Sequence, residues 1–102
     1  MQHDLFVNPR RHARMIYPLV AVLQADVSEG DTRIIAPLTT TAIVPNPPTR
    51  VLPVVSHEGR DYVVMMRLIS VLPTRHLRQP VGSIAQYRAD ITRALDWLFF
   101  GI

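Results

Sequence analysis

Four histidines, eight carboxylates and a run of arginines are the residues of this chain whose types could do chemistry, so their spacing comes first. His3, His12, His57 and His76 stand far apart, with no paired spacing of the kind that holds a metal ion. A solitary histidine of this sort reads as structural or solvent-exposed, and His57 reads as a strand-end residue beside a turn. Glu29 and Asp31 flank Gly30, where carboxylates serve as solvated turn residues. Serines and threonines are plentiful, but none sits in a recognisable nucleophile elbow. The four glycines at 30, 59, 82 and 101 are isolated, so no phosphate-cradling loop is present. Zero cysteines exclude thiolate metal sites, a cysteine nucleophile and disulfides. Catalysis and cofactor chemistry therefore find little support, and the expectation is a protein that is not an enzyme and carries no cofactor or metal.

Binding chemistry is better represented. All 11 basic side chains are arginine, and the formal net charge is +3. The arginines are scattered apart from Arg10-Arg11-His12-Ala13-Arg14, and few aromatics interleave with them, so no direct nucleic-acid contact is expected. Codon usage is the first explanation for arginine without lysine, although guanidinium forks also suit carboxylates on an acidic partner. The clearest signal is Trp97-Leu98-Phe99-Phe100-Gly101-Ile102, three aromatics where chain ends are normally polar and frayed. Such a cluster either tucks into the core or a dimer seam, or offers itself to another protein.

The elements that would position this tip can be read from punctuation and periodicity. Residues 1–102 read as a single domain, 48% hydrophobic and 19% charged, enough for one modest core. Neither a signal peptide nor a membrane anchor is apparent, and a cytoplasmic location is the expectation. β-branched runs predict short strands at Asp4 to Val7, Tyr17 to Gln24, Thr32 to Pro37, Thr41 to Val44, Val51 to Ser56 and Tyr62 to Arg67. Glu29-Gly30-Asp31 and Glu58-Gly59 supply turns, Pro45-Asn46-Pro47-Pro48 a loop, and Pro53 confines its strand to an edge or a bulge. Ser83 followed by Gln86 has capping-box spacing ahead of a stripe formed by Ile84, Tyr87, Ile91, Ala94, Leu95 and Leu98. Trp97 and Phe100 share a second apolar edge, while Arg88, Asp90 and Arg93 fall on the wet face. The fold class is mainly β, a small, strongly bent antiparallel sheet or barrel closed by one C-terminal helix.

From end to end the chain resembles the CcdB family. The strongest part is Arg88-Ala89-Asp90-Ile91, then Ala94-Leu95-Asp96-Trp97-Leu98, then Gly101-Ile102. Weaker echoes are Gln24-Ala25-Asp26, Arg33-Ile34-Ile35-Ala36-Pro37-Leu38, Pro53-Val54-Val55 with His57 and Gly59, Met65-Met66, and Ser70-Val71-Leu72-Pro73. The resemblance implies an SH3-like barrel that dimerises with its two helix ends side by side. It implies the toxin of a type II toxin–antitoxin module, of the kind that serves plasmid maintenance, which binds the DNA gyrase A subunit and traps the enzyme with its DNA cleaved. It further implies a CcdA-like antitoxin whose acidic, disordered tail folds onto the toxin. The gyrase-binding positions it assigns are Phe100, Gly101 and Ile102, with Asp96, Trp97 and Val27 as lesser contacts. The family pattern accommodates tryptophan where Phe100 stands, and phenylalanine's weaker π face costs a cation–π contact roughly 0.5–1 kcal/mol. Two alternatives stay open. One is an endoribonuclease of the MazF and Kid type, which shares the barrel but opens on an R-G-D-[IV]-[WY] strand that His3-Asp4-Leu5-Phe6-Val7 lacks. The other is a protein of the same fold that no longer poisons gyrase.

Overall fold

The computed structural model describes residues 1–26 and 30–102. Among the described residues seven strands, β1 (Asp4–Val7), β2 (Leu19–Val22), β3 (Thr32–Thr40), β4 (Val54–His57), β5 (Arg60–Val64), β6 (Ser70–Pro73) and β7 (Gly82–Ser83), precede a single α-helix, α1 (Arg88–Phe100). The sheet runs β4-β5-β3-β2-β1-β7, every pairing is antiparallel, and it curls into a nearly closed barrel.

β3 carries the curl. One of its edges pairs with β2, while the other pairs first with β6, Thr32 to Ile35, and then with β5, Leu38 to Thr40. Pro37 sits where that second edge changes partner, so its missing N–H falls at a break in the ladder, and its C=O still accepts from Met65 N–H at 2.9 Å. Both faces of the sheet are covered, which explains why β2 reads as an unbroken apolar run with every residue buried. On one face Leu5, Ala21, Leu38, Val55 and Val64 pack with Ile84, Ile91 and Ala94 from the helical end of the chain. On the other, Phe6, Val20, Val22 and Ile35 pack with Leu72 and Leu77.

The strand predictions hold for β1, for the centre of β2 and for the edge position of β4, where Pro53 stands just ahead of the strand at the end of the sheet. Others are corrected. Thr41 to Val44 is a turn, with Ile43 and Val44 N–H both donating to Thr40 C=O, because pairing with β5 ends at Thr40 and no partner lies beyond it. The strand placed at Tyr62 to Arg67 stops at Val64 and gives way to a 3-10 turn at Met66–Leu68. Ser83 Oγ does accept a hydrogen bond, from Ala85 N–H at 3.1 Å, but it lies one residue ahead of the N-cap of a 3-10 turn at Ala85–Tyr87, and the α-helix begins only at Arg88, with Tyr87 at its N-cap and no side-chain cap. Gly82 permits a close approach. A Cβ there would stand 2.5 Å from His57 Cε1 and 2.8 Å from its Nδ1, so only glycine leaves room for the imidazole.

The helix is held by its stripe. Ile91 and Ala94 are fully buried, Tyr87, Leu95 and Leu98 pack at the margin, and Tyr87 Oη accepts from Ser56 N–H at 3.0 Å. Arg88, Asp90 and Arg93 are exposed, as the stripe requires. Among the described residues no helix is long and apolar enough to cross a membrane.

Candidate protein-binding tip

The α1 helix leaves the core in its last turn. Ile91 and Ala94 are spaced to face the sheet, whereas Phe99 stands at the margin of that stripe and Phe100 on the far side of the helix, both largely exposed. Phe99 is 67% exposed, Phe100 73% and Ile102 80%. Gly101 takes the left-handed conformation at φ 70°, and its N–H donates to Trp97 C=O at 3.1 Å, the glycine-dependent stop that turns the chain off the helix axis. Ile102 therefore projects away from the helix instead of extending it.

The remaining positions of the sequence-derived site fall in different settings. Asp96 and Trp97 are half-buried on the last turns. Trp97 carries the Arg50 guanidinium 4.5 Å from its ring centroid, so one face of the indole is occupied by the chain's own proline-rich loop. Val27 lies outside the described residues, as do Ser28 and Glu29. Its neighbour Asp26 accepts Gln2 N–H at 2.8 Å and stands 3.1 Å from the Met1 amine. Those two donors, the Gln2 N–H first, hold the Asp26 carboxyl below the usual carboxylate range.

Sequence reasoning gave Phe99 no role of its own, and the structure places it between two apolar hollows. One, of about 260 Å³, is lined by Leu23, Gln24, Ile34, Ile69, Leu95 and Phe99. The other adds Met66, Arg67 and Leu98 around the same ring. Ile34 is the direct cross-strand partner of Val71, and both are exposed, so an apolar strip runs from the β3–β6 pair to the helix end. Periodicity within the helix could not reveal this strip, because Ile34 and Ile69 reach it from distant segments.

Elsewhere, His3 is buried at φ 68°, and burial first, then the Arg88 charge, lowers its pKa from 6.5. Among the described residues no three His, Asp or Glu side chains come together as a metal-binding group.

Comparison with known proteins agrees with this architecture. No curated protein sequence matches the chain. The family profile described as CcdB protein matches residues 2–101, nearly the full 102, and takes in the barrel, the helix and the glycine that ends it. On that match the chain belongs to the CcdB family.

Proposed function

We propose that this protein is the toxin of a type II toxin–antitoxin module and poisons DNA gyrase by binding, without making or breaking a bond itself. The observation that supports this most is the tip: Phe100 and Ile102 are largely exposed on either side of a left-handed Gly101, at the end of a helix anchored in the core. Burying one such phenylalanine against a partner contributes about 1.5–3 kcal/mol. Gyrase cleaves its own DNA, so a wedge need only bind the open, cleaved state more tightly than the resealed one to shift the population toward damage. Phe100, Gly101 and Ile102 contact the gyrase A subunit in this reading, with Asp96, Trp97 and Val27 around them.

The protein works as a homodimer in the cytoplasm. The strip from Val71 and Ile34 to Phe99 supports a seam between two copies, since a second copy seated there would bring two helix ends side by side. A CcdA-like antitoxin with an acidic tail that folds onto the toxin restrains it.

Supercoiling by purified gyrase tests the proposal. The intact chain inhibits supercoiling and accumulates cleaved gyrase–DNA complexes, whereas a chain lacking Gly101 and Ile102 folds and does neither. Full inhibition by the truncated chain overturns the tip assignment. Failure of the intact chain to bind a gyrase A fragment at micromolar concentration assigns the fold to another target.

A further inference from the structure

The wet face of α1 and the bare edge of β4 border a polar pocket that the gyrase reading does not use. Val64 N–H donates to Pro53 C=O at 2.8 Å, and Ser56 N–H leaves the sheet to meet Tyr87 Oη. By the two-residue alternation Val54 and Ser56 therefore turn their backbone groups away from β5 and toward the helical end of the chain. Ser56 finds its partner there, whereas the Val54 N–H has none among the described residues. The space beside it, about 500 Å³, is lined by Thr49, Arg50, Pro53, Val54, Asp90 and Arg93.

Both guanidiniums are held without being spent. Asp90, Arg93 and Trp97 fall in one row along the helix surface, so the pocket and the indole are neighbours. Arg93 Nη1 donates to Asp90 Oδ1 at 3.2 Å, which fixes the side chain and uses a single N–H of its fork. Arg50 lies over the Trp97 ring, a contact made through its charge that uses none of its N–H groups. The backbone behind Arg50 is fixed as well. Pro48 C=O accepts from Val51 and Leu52 N–H at 3.0 and 2.9 Å, and Leu52 and Pro53 are buried. The Thr49 hydroxyl on the same turn has no partner among the described residues. Two forks, a hydroxyl and a backbone N–H thus offer donors from the 49–50 turn, β4 and α1. Such a set exceeds what a planar carboxylate can accept and suits the terminal oxygens of a phosphate monoester. Asp90 supplies the opposite chemistry, because its second oxygen takes no hydrogen bond from the described residues and can accept one from a ligand hydroxyl.

We propose that this pocket binds a small phosphorylated polyol, its phosphoryl group on Arg50, Arg93, Thr49 and the Val54 N–H, and a neighbouring hydroxyl on Asp90. The pocket shares no residue with the Phe100-Gly101-Ile102 tip, and the proposal stands independently of the gyrase reading.

Emission of Trp97, the single tryptophan, reports on Arg50 and supplies the assay. Glycerol 3-phosphate is titrated into the full-length protein at about pH 8, where its phosphoryl group is a dianion. Glycerol, acetate and sodium chloride at matched ionic strength are the comparison probes. Glycerol 3-phosphate changes the emission saturably at millimolar concentration or below and shifts the Val54 amide resonance, and the comparison probes do neither. Arg93→Gln, which leaves the Arg50 contact with Trp97 in place, loses about tenfold or more in affinity while keeping its fold by circular dichroism. Asp90→Asn still binds phosphate but no longer prefers glycerol 3-phosphate over inorganic phosphate. No saturable response to glycerol 3-phosphate, an emission change that sodium chloride reproduces, a Val54 amide that stays in place while ligand binds, or unchanged affinity in Arg93→Gln each overturns the proposal. Inorganic phosphate that binds the unmodified protein as tightly as glycerol 3-phosphate overturns the assignment of a polyol. Gyrase inhibition by Arg93→Gln remains at the level of the unmodified protein, so absence of inhibition in both counts against the gyrase reading and leaves the ligand result standing.

Discussion

Apolar residues of α1 on and off its buried stripe meet opposite fates. Ile91 and Ala94 disappear beneath the sheet, while Phe99 and Phe100, two turns later, stand in solvent. Nothing in hydrophobicity separates them; angle around the helix does. A residue on the stripe stabilises the fold, and a residue off the stripe at the end of the helix is available to a partner. Stability and binding should then be separable by mutation within thirteen residues of one element.

The largest stability effect falls on the buried half. Ile91→Ala opens a cavity against Leu5, Leu38 and Val64 and should cost about 2–5 kcal/mol in urea unfolding. A smaller loss would break the contrast at its strong end. Acid should act through His3, which is buried near Arg88 at the start of α1 and has a folded pKa below the unfolded value of 6.5. The unfolded chain takes up this proton first, so the contribution of neutral His3 is complete above pH 6.5. It is lost as pH falls from 6.5 toward the folded pKa. His3→Asn, which tolerates the left-handed backbone, should flatten that slope in a pH series of thermal melts.

Smaller again is Arg50→Ala. Removing the guanidinium from the Trp97 face should cost about 0.5–1 kcal/mol and change the fluorescence of the single tryptophan. The least effect on stability belongs to Phe100→Ala, about 0.5 kcal/mol or less, because the ring has little to lose on the protein's own surface. If the proposed gyrase contact is right, the same variant should show a large loss in the supercoiling assay. Melting Phe100→Ala as far as Ile91→Ala would erase the distinction between the halves.

The sequence made the helix legible because its stripe repeats within a few residues, and it made β4 legible as an edge because Pro53 cannot donate. It could not show β6 or β7. Those strands have four and two residues, and they exist because β3 and β1, far away in the chain, offer them an edge. The error at Thr41 to Val44 has the same cause in reverse, a β-branched run with no edge to meet. The tip behaves likewise. Phe100 could be singled out from local spacing and Ile102 from the family resemblance, whereas the hollow at Phe99 requires segments that only the curled sheet brings together.

The change of partner at Pro37 divides β3 into two zippers that share one backbone. The stretch from Thr32 to Ile35 is clasped by β6 and the stretch from Leu38 to Thr40 by β5, with a missing donor between them. Sub-global opening should therefore follow that boundary. Amide protons of the β6 clasp and of the β5 clasp will exchange with deuterium as two groups with distinct protection, so the barrel breathes in two cooperative units.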